Sequence, residues 1–156
     1  MFSRFLFLLL SLFVFASCSS LKPLEYRSLN NFNVSSLTST PQLTFDLTLY
    51  NPNTVGAKLK DFNVELELNG VKLATAALAD VSHAGAQSTF TIPMSINTSI
   101  EQLAQFLPAG INLFSSGSTI PVHLNGSVTV KKFIFRKTFP FDVQEALDTK
   151  KIRLGK

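Results

Sequence analysis

The sequence contains a single cysteine and only two histidines, His83 and His123. A lone cysteine has no partner for an intramolecular disulfide, so the fold does not depend on one. Neither histidine has a second histidine or a cysteine near it at the spacing of a metal-ligand set. We therefore expect surface or structural histidines, no metal site and no bound cofactor.

Catalytic and nucleotide-binding motifs are also missing. There is no Gly-x-Ser-x-Gly motif to present a nucleophilic serine, and no glycine-rich loop for phosphates. Glu65 and Glu67 share one face of a predicted strand and could form an acidic pair, but solubility and cross-strand pairing with Lys72 account for them. The sequence also lacks the aromatic-and-basic pattern of nucleic-acid-binding modules. It predicts neither an enzyme nor a protein that binds nucleic acid.

Charged residues make up only 15% of the chain, and the net charge is +4. Most of this charge is spread out, which says little about a partner. The one concentration lies near the end of the sequence and comprises Lys131, Lys132, Arg136, Lys137, Lys150, Lys151, Arg153 and Lys156. These residues could face anionic lipid headgroups, or they could protect a strand edge from unwanted pairing, as lysines commonly do. We favour the second interpretation.

Residues 1–17 have the features of a secretory signal peptide. Arg4 precedes an apolar run over 5–15, and small residues follow that run. The run is shorter than the roughly 20 residues that a membrane-spanning helix needs. The alternatives are an ordinary signal peptide cut near Ser17 and an uncleaved N-terminal anchor.

The segment 15–18 resembles a bacterial lipobox, in which the final cysteine takes a diacylglycerol and becomes the new N-terminus. The resemblance implies two or three acyl chains, such as palmitate, on Cys18, and more than one chain gives firm retention at a membrane. Residues 18–24 are then a lipidated tether. Ser19 stands where an aspartate retains lipoproteins at an inner membrane, so we expect the outer membrane, with the domain facing the periplasm.

Apolar and polar residues alternate through most of the remaining chain, as in half-buried β-strands. The clearest strand is predicted over 42–50, and it ends at Asn51-Pro52-Asn53, because proline cannot donate to a sheet and asparagine favours turns. A second strand is predicted over 62–68. Asn69-Gly70 follows it and is the strongest hairpin signal, because both turn positions need positive φ.

Folding about Asn69-Gly70 places apolar against apolar residues and acid against base. The predicted pairs are Leu68 with Val71, Glu67 with Lys72, and Leu66 with Leu73. Asn125-Gly126 fails the same test. We therefore predict one long strand with Gly126 at a bend or bulge, whose buried face carries Ile120, Val122, Leu124, Val128 and Val130.

Three further strands are predicted from weaker patterns. A strand over 90–96 contains Pro93, which indicates an edge or a bulge. A strand over 133–141 has the opposite parity to the long strand. The third lies over 25–36, and the apolar residues of these last two strands are Phe133, Phe135, Phe139, Phe141, Tyr26, Leu29, Phe32 and Val34.

One helix is predicted after the strand over 90–96. Thr98 and Glu101 have the spacing of a capping box, and Pro108 and Gly110 end the helix. A loop follows over 115–118. The apolar face of the helix comprises Ile100, Leu103, Ala104 and Leu107.

These elements predict a mainly β protein with an antiparallel β-sandwich of immunoglobulin-like or fibronectin-III-like form. We expect about seven strands, with the one helix closing one end. The domain is predicted over 25–143, and 144–156 are assigned to a basic C-terminal tail.

The order of elements resembles the type 2 late embryogenesis abundant proteins, also called the WHy (water stress and hypersensitive response) domain. The features that carry the likeness are the strand Leu43–Tyr50 running into Asn51-Pro52-Asn53, then Leu59, Phe62, Leu68-Asn69-Gly70 and Leu73, the strand Phe90–Ile96 before a helix, and Ile120-Pro121-Val122 leading to Gly126. The resemblance covers 25–143. It implies a β-sandwich with one helix, a link to desiccation and stress tolerance, and no catalytic residues. It also makes Asn51, Pro52 and Asn53 candidate site residues, although a fixed turn explains them.

Together with the lipobox, these features predict a non-catalytic, membrane-anchored lipoprotein domain with a binding, scaffold or stress-protective role in the cell envelope. The alternative is a sugar-binding or hydrolase-accessory envelope domain. The expected partners are a membrane, through the N-terminal lipid, and an envelope protein or a lipid surface. The oligomeric state is left open.

Overall fold

The computed structural model describes residues 21–34, 40–77, 83–106, 119–132 and 134–154. Several features of the sequence analysis lie outside these ranges: the signal peptide 1–17, Cys18, Leu107, Pro108, Gly110, the loop 115–118 and Phe133. The elements within the ranges are β1 (Glu25–Val34), β2 (Gln42–Asn51), β3 (Ala57–Leu68), β4 (Val71–Ala77), β5 (His83–Ala84), β6 (Ser88–Asn97), α1 (Ile100–Phe106), β7 (Thr119–Lys132), β8 (Phe135–Asp148), a 3-10 turn (Thr149–Lys151) and β9 (Arg153–Leu154).

The strands form two sheets. The first has the order β6-β2-β1-β9, and the second has the order β4-β3-β7-β8, with β5 also paired to β3. All pairs are antiparallel except β1 with β9. The predicted mainly β sandwich is therefore confirmed, and β6, which contains Pro93, lies at a sheet edge as its proline requires.

The core lies between the two sheets. Along β2, buried apolar residues alternate with partly exposed polar ones, as the sequence predicted. Phe32 stacks on Phe45 with ring centroids 5.6 Å apart, and Phe62 meets Phe141 at 5.6 Å within the second sheet. Each such side chain contributes roughly 1.5–3 kcal/mol on burial.

The hairpin at Asn69-Gly70 forms as predicted, with φ of 50° and 79° at the two turn positions. Leu68 pairs with Val71 and Glu67 pairs with Lys72, but the predicted Leu66–Leu73 pair is wrong. A bulge places Ala74 opposite Leu66 and leaves Leu73 as the extra residue. The apolar residues of β4 change parity after Leu73, and the bulge allows both sets to face the core.

β7 runs through Asn125-Gly126 without a turn, as predicted. The expected bend or bulge at Gly126 is not found, because Gly126 pairs in regular register with Val64. Glycine is needed there for a different reason. A Cβ at Gly126 would lie 2.0 Å from the carbonyl oxygen of Asn63 and 2.8 Å from the Cα of Val64. The register shift between β3 and β7 lies instead between Leu59 and Asp61.

The second sheet continues beyond residue 143. β8 runs to Asp148, whose carboxylate accepts from the backbone N–H of Lys150 at 2.9 Å and caps the 3-10 turn. β9 then pairs in parallel with β1. Residues 144–154, which the sequence analysis assigned to a tail, therefore contribute to both sheets. At the other end of β8, Phe139 is buried as predicted, but Phe135 is 63% exposed.

The cap of the helix lies one residue later than predicted. Ser99 Oγ accepts from the backbone N–H of Gln102 at 3.2 Å, and Gln102 Oε1 accepts from the N–H of Ser99 at 3.2 Å. The capping box is thus Ser99 with Gln102, and the predicted pair Thr98 with Glu101 is wrong. The Thr98 hydroxyl instead donates to Gln102 Oε1 at 3.0 Å.

The predicted apolar face of α1 can be followed only in part. Ile100, at the start of this face, is 38% exposed. The side chains of Leu103 and Ala104 lie outside the described set. Among the residues that the structure describes, no helix has the length and apolar character needed to cross a membrane.

Candidate functional site

The turn Asn51-Pro52-Asn53 leads out of β2 toward β3 and contains two buried amide side chains. Asn51 is 0% exposed and Asn53 is 8% exposed. Burying an amide without hydrogen-bond partners costs several kcal/mol. Pro52 fixes its own φ between them and has no N–H to satisfy. The partners of the two asparagines therefore define what this turn does.

Asn51 uses all the hydrogen-bonding capacity of its amide group. Its Nδ2 donates to the carbonyl oxygens of Val55 at 3.0 Å and Gly85 at 2.7 Å. Its Oδ1 accepts from the backbone N–H of Asn53 at 3.1 Å and from Asn53 Nδ2 at 2.8 Å. Asn51 thus closes its own turn and fastens it to the segment before β6.

Asn53 connects this turn to the segment that enters the domain. Its Oδ1 accepts from the backbone N–H of Lys22 at 2.8 Å, and its Nδ2 donates to the carbonyl oxygen of Lys22 at 3.0 Å. Its own carbonyl accepts from the N–H of Gln87 at 3.0 Å. Three segments distant in sequence are therefore joined at one point, and the two asparagine side chains are fully occupied by protein groups.

The entering segment is also tied to the second sheet. Lys137 Nζ donates to the carbonyl oxygen of Leu21 at 3.4 Å, and the Tyr26 hydroxyl donates to the Glu145 carboxylate. Leu24 packs against the core. The Lys137 contact places Leu21 near the tip of the β7–β8 hairpin, and Tyr26 lies farther along β8, at Glu145.

Sequence reasoning singled out this turn but did not find its partners. Lys22, Gly85 and Gln87 contribute backbone groups, so their side-chain types carry no signal. Cys18 lies outside the described residues, and its acylation stays a prediction. The structure nevertheless fixes the chain at Leu21, and three intervening peptide units span about 10 Å at most.

The two histidines lie on separate parts of the second sheet. His83 is exposed in β5 and pairs with Lys58 of β3. His123 is on the outward face of β7, where Nε2 lies 2.9 Å from Asp142 Oδ1 and Nδ1 lies 3.9 Å from Glu67 Oε2. Within the described ranges, no set of three histidine, cysteine, aspartate or glutamate side chains is arranged to hold a metal ion.

The acidic pair Glu65 and Glu67 is divided between two basic neighbours. Lys72 Nζ lies 3.1 Å from the Glu65 carboxylate, although Lys72 is opposite Glu67 in the register. Glu67 is directly opposite His123 on the other side of β3. The two carboxylates therefore take part in cross-strand pairing, and exposed pairs of this kind are worth about 0–1 kcal/mol each.

Two solved structures of low sequence identity share the fold of this chain. The solution structure of a protein from Arabidopsis thaliana is 10% identical, with a TM-score of 0.52 over 83% of this chain and 79% of that one. The solution structure of a late embryogenesis abundant protein is 12% identical, with a TM-score of 0.53 over 86% of this chain and 74% of that one. A protein from Archaeoglobus fulgidus is 15% identical, with a TM-score of 0.49 over 83% of this chain and 97% of that one.

The family of the chain is shown by its sequence match. No curated protein matches the chain. A family model described as late embryogenesis abundant protein matches residues 46–145, which include the turn Asn51-Pro52-Asn53 and most of the two sheets. Because this match spans more than half of the sequence, the chain belongs to the LEA_2 family of late embryogenesis abundant proteins, which is a stress- and desiccation-related and generally non-enzymatic family.

Proposed function

We propose that this protein is a non-catalytic domain held at a membrane of the bacterial envelope by acyl chains on Cys18, where it serves as a binding or scaffold module with a stress-protective role. The anchor and its location follow from the lipobox resemblance. The protective role follows from the family.

The observation that carries this proposal is the double hydrogen bond between Asn53 and the backbone of Lys22. It fixes the chain only a few residues after Cys18. A short tether that enters a domain at a fastened point holds that domain close to the surface to which it is attached. The Asn51-Pro52-Asn53 turn thus binds the end of the tether at Lys22.

The surface chemistry supports a role without catalysis. Glu65 pairs with Lys72, and His123 lies close to the carboxylates of Asp142 and Glu67. A sugar-binding or hydrolase-accessory surface would need exposed aromatic rings beside acids. In the described part of the chain, the one large aromatic side chain that is strongly exposed, Phe135, stands among basic residues instead. No observation favours that alternative.

Intact-mass measurement of the full protein purified from membranes tests the anchor. We expect a species that begins at Cys18 and is heavier than its polypeptide by the mass of its acyl groups. An unmodified N-terminus at Ser17, Ser19 or Ser20 would contradict the proposal. An unprocessed chain that begins at Met1 would favour the uncleaved anchor.

The protective role needs a separate test. The purified protein is added to an enzyme that aggregates on drying or heating, with an unrelated β-sandwich protein as the control. We expect recovery of enzyme activity to rise with the amount of added protein. Equal recovery with both proteins, even at excess, would contradict protection.

A further inference from the structure

A row of basic residues crosses the second sheet at the end where the chain enters. His83, Lys58, Lys131 and Arg136 are consecutive partners in the register of β5, β3, β7 and β8. Like charges placed directly opposite one another on neighbouring strands destabilise a sheet. In the part of the chain that the structure describes, no carboxylate forms an ion pair with Lys58, Lys131 or Arg136. Among the described residues, therefore, no ion pair offsets the repulsion in this row.

Protection of a strand edge explains only part of this row. Arg136 is on β8, which is an edge strand of the second sheet. Lys58 and Lys131 are on β3 and β7, which have neighbours on both sides. Charges on interior strands cannot prevent edge pairing, so the interpretation favoured by the sequence does not account for them.

An apolar tip projects just beyond the basic row. Ile134 is 86% exposed and Phe135 is 63% exposed, and both lie where β7 turns into β8. They are two of the three large hydrophobic residues exposed in the described ranges. Exposed apolar side chains next to a cluster of cations are the features with which proteins bind the interface of anionic bilayers.

The basic residues also surround a depression of about 690 Å³ on the same end of the molecule. Lys58, Lys60 and Lys131 line it together with Lys132. Several ammonium groups around one shallow, open depression suit the phosphate groups of several lipid molecules. A single small anion would satisfy only part of the row.

We propose that this end of the sandwich docks on an anionic lipid bilayer. Ile134 and Phe135 enter the interface between headgroups and acyl chains, and Lys58, Lys131 and Arg136 contact lipid phosphates. Docking rests on the tip and the basic row alone. Lys137 binds the carbonyl oxygen of Leu21 at the same end, so acyl chains on Cys18 would enter the bilayer beside the tip. This second point rests on the proposed function.

The test uses the absence of tryptophan from the sequence. Phe135→Trp, made in the full chain, gives a single reporter at the tip. The protein is purified in detergent and reconstituted into vesicles of phosphatidylcholine, alone or mixed with phosphatidylglycerol. We expect a blue shift of the emission, and quenching by lipids brominated in their acyl chains, in the vesicles that contain phosphatidylglycerol.

The matched control places the reporter at the other end of the β7–β8 hairpin. Thr119 is exposed at the start of β7, about 40 Å from the tip at about 3.3 Å per residue. Thr119→Trp should show neither the shift nor the quenching. Equal behaviour of the two reporters, or unchanged emission of Phe135→Trp in anionic vesicles, would overturn the proposal.

The role of charge is tested by two triple variants with the same net charge. In the first, Lys58, Lys131 and Arg136 are replaced by glutamine in the Phe135→Trp background. Each removed cation should weaken docking about fivefold, so we expect the blue shift to be lost. In the second, Lys150, Lys151 and Arg153 are replaced by glutamine, and the shift should persist. Loss of the shift in both variants would contradict a specific basic row.

The intact mass of the same samples shows whether Cys18 is acylated. A tip that docks on an unacylated chain would support this inference and contradict the anchor. An acylated chain whose Phe135→Trp emission does not respond to anionic lipid would support the anchor and contradict docking of the tip.

Discussion

At the scale of single residues, the stability of this domain depends on a few positions where no other side chain fits. Asn51 is buried, and its side chain donates two hydrogen bonds and accepts two. Gly126 allows β3 to approach closer than any Cβ permits. One position is fixed by hydrogen bonding and the other by the size of its side chain.

Replacing Asn51 should destabilise the fold more than its small size suggests. Asn51→Ala leaves the carbonyl oxygens of Val55 and Gly85 without a partner, and unsatisfied buried groups cost about 1–3 kcal/mol each. We expect a loss of about 2–4 kcal/mol in the free energy of unfolding, measured by urea denaturation. Asn125→Ala, at an exposed position of β7, is the control and should change it by less than about 0.5 kcal/mol. Similar losses in both variants would argue against the hydrogen-bond account.

Gly126→Ala should be destabilising because the new methyl group would overlap backbone atoms of β3. A backbone cannot rotate away as a flexible side chain can, so the two strands must separate. We expect a loss of about 3 kcal/mol or more, with faster amide exchange in β3 and β7. Ser127→Ala at the next residue is the control. A wild-type unfolding midpoint for Gly126→Ala would show that the strands can move apart at little cost.

At the scale of elements, small displacements decide how each segment pairs. The bulge at Leu73 changes the partner of Leu66, and the helix cap lies at Ser99 in place of Thr98. Each displacement is by one residue. In each case a local pattern in the sequence fitted two neighbouring alternatives, and packing or hydrogen bonding selected one of them.

The first turn of α1 gives a prediction about pH. The pKa of Glu101 is lowered from 4.5, first by a hydrogen bond from its own backbone N–H and then by one from the Ser99 side chain. Stability that depends on this carboxylate is present above the ordinary pKa and is lost as the pH falls through the lowered one. We expect an NMR titration of the carboxyl carbon to give a midpoint below 4.5.

Ser99→Ala tests the cause of that shift. It removes the cap and the side-chain hydrogen bond, so the titration midpoint of Glu101 should rise. Ser95→Ala, at an exposed position of β6, should leave the midpoint where it is. An unchanged midpoint in Ser99→Ala would show that the serine hydroxyl does not contribute.

At the scale of the whole molecule, the two ends of the sandwich differ in chemistry. The entering segment, the Asn51-Pro52-Asn53 turn, the basic row and the apolar tip all lie at one end. The other carries the Asn69-Gly70 hairpin and the start of α1. This polarity places the basic row and the apolar tip at the end where the chain enters the domain.

Cys18→Ala should separate folding from anchoring. No other cysteine exists to pair with Cys18, so its thiol makes no disulfide that the fold requires. We expect the thermal unfolding midpoint to stay the same, while lipidation and the lipoprotein-specific cut are lost. Fractionation should then show either a retained signal peptide or release from the membrane. Ser19→Ala is the control and should keep the acyl groups. Unaltered acylation of Cys18→Ala would place the modification elsewhere.

The sequence by itself determined the longer strands, most of their buried faces and the Asn69-Gly70 hairpin, because strand alternation and turn chemistry are local properties. It also identified the Asn51-Pro52-Asn53 turn. Only the tertiary structure decided what that turn holds, because its partners at Lys22, Gly85 and Gln87 are backbone groups from distant segments. The basic row likewise needed the register of four strands. The sequence grouped Lys131 with Arg136 but could not join Lys58 and His83 to them, since cross-strand neighbours are set by pairing and not by proximity along the chain.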